Sequence, residues 1–208
     1  MKKVIALVIV AFVFIAGCKK EEEQTYTTIN VGAMLSLTGN WSTLGIPSKA
    51  AIEIAVEEIN ADFKARGVPY RFSASVFDTK LDTNLAKAYM TDALNSGMRL
   101  IIGPQSSAEV GAIKSIADGG NMLVVSQGST ASSLAIANDA IYRYCPGDAI
   151  EGAAIASSIY DEGKRGLIVL ARDDAGNIGL QNSVKNAFST KAGATVEYIA
   201  PYPTTITD

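Results

Sequence analysis

Apolar residues along this chain alternate between two spacings. Short runs with strand character cover residues 29–35, 70–77, 100–102, 122–125, 140–144, 167–171 and 195–200. Between them apolar residues recur at helical spacing. Ile52, Ala55, Val56, Ile59 and Phe63 predict a buried stripe on a helix opened by Pro47 and closed by Gly67. Ala86, Tyr89, Met90 and Ala93 predict a second helix, capped by Asp82 or Thr83 and stopped by Gly97. Val110, Ile113 and Ala117 predict a third. Asp148 is the N-cap candidate of a fourth, which carries Ala149, Ala153, Ala156 and Tyr160 and ends at Gly163. A fifth, with Leu180, Val184, Ala187 and Phe188, follows a loop over residues 172–177. Strands that alternate with helices predict an α/β fold with a doubly wound parallel sheet. Pro146-Gly147 breaks the chain, and a second, similar βα series starts near Asp148.

The stretch 100–130 organises the rest. Its strand–helix–strand order makes the two strands parallel, so the loops after them leave one sheet edge. The first loop holds Ser106-Ser107 and the second holds Ser126, Gln127, Gly128, Ser129 and Thr130. Open parallel sheets bind ligands at that edge. Hydroxyls, backbone N–H groups and a helix N-terminus seat a small anion such as a carboxylate. The same residues also admit a local reading: Ser106 and Glu109 form a capping box, and Gly128 with its serines forms a turn.

Composition narrows the chemistry. The 208 residues are 48% hydrophobic, with net charge −3 and no basic stripe, which argues against nucleic acid as a partner. The absence of histidine removes His-based triads and most zinc sites. Ser107 has no adjacent lysine, and Gly-x-Ser-x-Gly does not occur, so an enzyme is not expected. The two cysteines, Cys18 and Cys145, form no metal or disulfide pattern, and Cys145 reads as a small buried residue. Asp173-Asp174 lacks the further oxygen ligands that a hard cation needs and reads as a solvated loop, so no metal or cofactor is expected.

At the N-terminus, Lys2-Lys3 precede an apolar run over residues 4–16 that is short for a bilayer span. Ile15-Ala16-Gly17-Cys18 resembles the bacterial lipobox, whose cysteine is lipidated. The expected organisation is a lipoprotein signal peptide over residues 1–18, a charged tether over 19–27, a first ligand-binding lobe over 28–147 and a partial second lobe over 148–208. The fold itself is expected to start at Thr27.

Taken together, six stretches in order resemble the type I periplasmic binding proteins of the branched-chain amino acid class, which feed ABC importers. They are Val31-Gly32-Ala33-Met34 with Ser36-Leu37-Thr38-Gly39; Glu57-Glu58-Ile59-Asn60; Ile102-Gly103-Pro104 with Ser106-Ser107; Ser126 to Thr130; Tyr142-Arg143 with Pro146-Gly147-Asp148; and Gly179-Leu180. The resemblance implies two lobes that close on a ligand, and a chain truncated within the second. It places Ser107, Gly128 and Thr130, with Ser129 in the same loop, at a ligand carboxylate and Asp148 near an ammonium. Leu44 and Gly176 stand where relatives carry tyrosine, and Trp41 supplies an aromatic wall instead. The implied function is an extracytoplasmic lipoprotein, anchored to the membrane through Cys18, that delivers an amino acid or similar zwitterion to ABC permease subunits. A ligand-sensing domain of a receptor with the same fold is the alternative.

Overall fold

The computed structural model describes residues 25–203. The expected signal peptide with Cys18, most of the expected tether and the last residues of the expected partial second lobe lie outside the described residues. Ordered packing starts before Thr27, because the Arg71 guanidinium lies 5.1 Å from the centre of the Tyr26 ring.

Five strands form one fully parallel sheet: β1 (Thr27–Leu35), β2 (Tyr70–Asp78), β3 (Leu100–Ile102), β4 (Leu123–Ser126) and β5 (Ile141–Arg143). Their order is β2-β1-β3-β4-β5. The winding direction therefore reverses between β1 and β3, which opens a crevice at their carboxyl ends.

Pleating sends successive β1 side chains to opposite faces. Met34 joins Ile101 and Val124 under α2 (Thr83–Asn95) and α3 (Ser107–Gly119), with Met90 and Ile113 completely buried between them. Ala33 and Leu35 point the other way, against Ile52 and Val56 of α1 (Ser42–Ala65). Asp82 caps α2 by accepting the Asn84 and Leu85 N–H groups, and Gly97 ends it with φ +82°.

The chain then crosses into α4 (Asp148–Asp161), β6 (Gly166–Val169), α5 (Ala175–Ser189) and β7 (Thr195–Tyr198). The last two strands pair in parallel as a separate two-stranded sheet. Helices α4 and α5 pack closely because Gly152 lacks a side chain: a Cβ there would overlap Ser183 and lie 2.7 Å from the Val184 nitrogen.

Four sequence expectations are corrected. Helix α1 starts at Ser42, with Pro47 inside it. Gly45, not the proline, sets that start: its missing Cβ lets the first turn lie against the Ser36 carbonyl, where a Cβ would overlap. The α1 stripe is also incompletely covered. Ile52 is buried, Val56 and Phe63 are half-buried, and Ala55 and Ile59 are exposed, because α1 leans on the β1–β2 side of the sheet alone. The N-cap of α4 is Gly147, and Asp148 is its first helical residue; Gly152 and Ala156 form its buried face while Ala149 and Ala153 are exposed. The loop after β6 ends at Asp174, so Gly176 and Asn177 belong to the first turn of α5.

Candidate functional site

The loops after β1, β2, β3 and β4 meet the start of α5 across a cleft of about 720 Å³. It lies at the sheet edge where the winding reverses.

The floor is built by α3. Ser106 caps it, and its hydroxyl accepts the Glu109 N–H at 3.3 Å. The next residue, Ser107, lines the cleft and is otherwise enclosed. Its Oγ accepts the Ala131 N–H at 3.2 Å and the Ser129 hydroxyl at 3.1 Å. With both lone pairs engaged, its own proton is left to donate into the cleft. The N–H groups of Ser107 and Ala108 lie in the first helical turn and have no acceptor within the helix. This end of α3 therefore offers donors and a partial positive charge.

Neighbouring loops hold the floor in place. Ser126 donates to the Pro104 carbonyl at 2.5 Å and accepts the Ser129 N–H at 3.2 Å. Gly128 lets the β3 and β4 loops touch, since a Cβ there would lie 2.7 Å from the Gln105 carbonyl oxygen. The Gln105 side chain accepts the Ser36 N–H and donates to the Ser48 hydroxyl. Asp78 joins two more loops: it accepts from the backbone of Leu37, Thr38 and Lys80 and from the Thr38 hydroxyl. Burial pushes the Asp78 carboxyl up, but these hydrogen bonds outweigh it and hold it below the ordinary value.

The opposite wall begins at Asp174. Its Oδ1 caps α5 through the Asn177 N–H at 2.9 Å, and its Oδ2 takes Arg172 Nε at 2.6 Å. Burial alone would raise this carboxyl, but the Asn177 and Arg172 contacts hold it below the usual range. The two aspartates do not converge on a cation: Asp174 is a cap and Asp173 is exposed. Among the described residues no group of three or more acids, cysteines or histidines is placed to hold a metal ion. Gly176 faces the floor, its Cβ direction ending 3.5 Å from Ser107 Oγ.

Of the residues expected from sequence, Trp41, Ser107, Gly128 and Thr130 line the cleft. Ser129 and Asp148 do not. Ser129 is buried beneath the floor and orients Ser107. Asp148 is fully enclosed, neither of its carboxyl oxygens has a partner, and Oδ2 lies against Gly179 of α5. Its backbone N–H bonds the Thr130 carbonyl at 2.9 Å, so it sits directly behind the lining. Leu44 is not on the cleft lining and is 53% exposed. Cys145 is half-buried, with Sγ 3.2 Å from the Ser129 carbonyl; burial raises its thiol, Arg143 lowers it, and Asp148 and Glu151 raise it further.

Sequence reasoning missed Lys80, Leu81, Glu151 and Arg172, all of which line the cleft. For Lys80, Leu81 and Arg172 the available signal was the strand-end rule applied to β2 and β6 as well as to β3 and β4; Glu151, on α4, has no such signal.

The chain matches the family described as "Periplasmic binding protein" over residues 28–208, and it belongs to that family. An uncharacterized protein of Methanocaldococcus jannaschii is 29% identical over 214 residues, covering 97% of this chain and 51% of its own length. A leucine-binding protein from Thermotoga maritima shares the fold with TM-score 0.77 at 24% identity, over 86% of this chain and 50% of that one. The branched-chain amino acid transporter substrate-binding protein of Streptococcus pneumoniae, solved in complex with isoleucine, superposes with TM-score 0.76 at 19% identity, over 88% and 51%. The chain thus spans about half the length of these relatives. No helix among the described residues is long and apolar enough to cross a membrane.

Proposed function

We propose that this chain is the ligand-gripping part of an extracytoplasmic substrate-binding lipoprotein, anchored through Cys18, that presents an amino acid or similar zwitterion to an ABC importer. In this reading residues 28–147 are the first lobe and residues 148–208 begin the second. The observation that carries the ligand class is the pairing of Ser107 with Asp148. A hydroxyl freed to donate at a helix N-terminus complements a carboxylate. One residue layer behind the lining stands a buried carboxyl with no partner. Buried polar groups without partners are destabilising, by about 1–3 kcal/mol each. In the cleft a ligand ammonium meets Glu151, one helical turn further along α4 and on the cleft surface, while Asp148, closed off by Gly179, acts on it from behind the lining.

The test is calorimetric titration of α-amino acids, and of the matching carboxylic acids without the amine, into the full-length protein. Ser107→Ala should weaken both ligand types by about tenfold to a hundredfold, the worth of a hydrogen bond to a charged group. Asp148→Asn should weaken the amino acids much more than the amine-free acids. Absence of any amino-acid binding at millimolar concentration would overturn the ligand class. Retention of the Cys18→Ser protein on membranes after signal cleavage would overturn the anchor.

A further inference from the structure

We infer that Lys80 is the specificity determinant of the cleft and that the ligand is an acidic amino acid, a zwitterion carrying a second carboxylate. This deepens the amino-acid reading above and rests on it.

Four ionisable side chains stand on the lining: Lys80, Glu151, Arg172 and Asp174. Arg172 and Asp174 neutralise one another at 2.6 Å. Glu151 is left to complement an ammonium. The ligand's α-carboxylate is served by neutral groups, the Ser107 hydroxyl and the free N–H groups of α3. That accounting leaves Lys80 over. It takes part in none of the ion pairs among the described residues. A zwitterion with an apolar side chain leaves this cation unmatched when the cleft closes. A zwitterion with a distal carboxylate matches it, and every charge on the lining then has an opposite.

The backbone gives a second, independent reason. Lys80 and Leu81 both adopt left-handed conformations, with φ 54° and 61°. Neither is glycine or asparagine, the residues that tolerate this region best. Two such residues in succession persist where the surroundings over-determine them, and such strain gathers at ligand clamps. Here the surroundings do so. The Thr79 N–H bonds the Leu35 carbonyl at 2.8 Å, the Lys80 N–H bonds Asp78 Oδ1 at 3.1 Å, and the Asp82 N–H bonds the Thr79 carbonyl at 2.8 Å. Asp78 also holds the loop that leads to Trp41. The lysine is thus keyed to the first lobe's binding loop, across the cleft from Arg172. Trp41, Leu81 and Leu180 line the space between, which suits the short methylene stem of an acidic amino acid.

The experiment is calorimetric titration of L-glutamate, L-aspartate, L-glutamine and L-leucine into the full-length protein, and into Lys80→Met and Lys80→Arg variants whose thermal unfolding matches the parent. The parent should bind glutamate or aspartate at least tenfold more tightly than glutamine or leucine, the scale of one charge-assisted hydrogen bond. Lys80→Met should erase the preference for acid over amide, and Lys80→Arg should keep most of it. Raising the salt from 0.05 to 0.5 M should narrow the preference in the parent and leave Lys80→Met unchanged. Tighter binding of leucine or glutamine than of either acid, or a preference that survives in Lys80→Met, overturns the inference while the amino-acid reading stands. Failure to bind any of the four overturns both.

Discussion

Residues 27–143 hold their binding loops on a five-stranded parallel sheet with helices on both faces, whereas residues 166–198 place theirs on a two-stranded one. The first wall is cross-linked from loop to loop. Asp78, Gln105, Ser126 and Ser107 each join segments distant in sequence through side-chain hydrogen bonds. The second wall has its main anchor in helix packing, where α4 meets α5 through Gly152 and through the Asp148–Gly179 approach. Among side chains Asp174 fixes the loop at its tip, with partners Arg172 and Asn177 close by in sequence, and backbone hydrogen bonds from Asp173 and to Ala171 tie the loop to Tyr202. In the proposed reading, the groups that seat the part common to all amino acids belong to a pre-organised scaffold, where little ordering is needed on binding.

Three substitutions probe this contrast, in order of expected effect. Ile113→Ala empties a completely buried site between α3 and the sheet. It should cost about 2–5 kcal/mol, read as a lower denaturation midpoint, because a large-to-small change in a packed core loses burial and leaves a cavity. The loss should spread across all five strands in hydrogen exchange. Protection lost in α3 alone would show that the first wall is not one cooperative unit.

Gly152→Val drives a branched side chain into Ser183. Overpacking of this kind costs about 1–3 kcal/mol. Exchange should accelerate in α4, α5 and the β6–β7 sheet and stay unchanged in β1 to β5. Equal acceleration in both parts would mean that the two walls are one mechanical body, and the comparison would fail.

Asp78→Asn removes a charged acceptor that joins the loops after β1 and β2. The expected loss at neutral pH is about 1–3 kcal/mol, since hydrogen bonds to charged groups are the strong ones. The pH dependence has a definite sign. The folded-state value of Asp78 is depressed, so its contribution is fully present above the ordinary value of 3.8 and is lost as pH falls through the lower folded value. Parent and variant stabilities should therefore differ by a constant amount at neutral pH and converge in acid. A gap that stays constant down to the acid transition would show that Asp78 acts through packing rather than charge.

The sequence by itself determined the alternation of strands and helices, the parallel sheet and the edge on which the cleft lies. Those features follow from local periodicity and from stops such as Gly67, Gly97 and Gly163, each of which takes a positive φ after a helix. It also determined the Ser107 and Gly128–Thr130 floor, because the order β3–α3–β4 leaves no other edge for those loops. Tertiary structure alone decided where α1 begins, since the approach of Gly45 to the Ser36 carbonyl is a contact between elements. Tertiary structure likewise decided which acids face the cleft. Asp148 and Glu151 lie within one turn of one helix, and helical periodicity allows either to point at a ligand. The packing of Gly179 over Asp148 closes one and leaves the other on the lining. Lys80 and Arg172 were hidden for a related reason: each stands in a short loop with no periodicity, and the cleft they share exists only where the strand-end loops of two sheets, separate in sequence, are brought together.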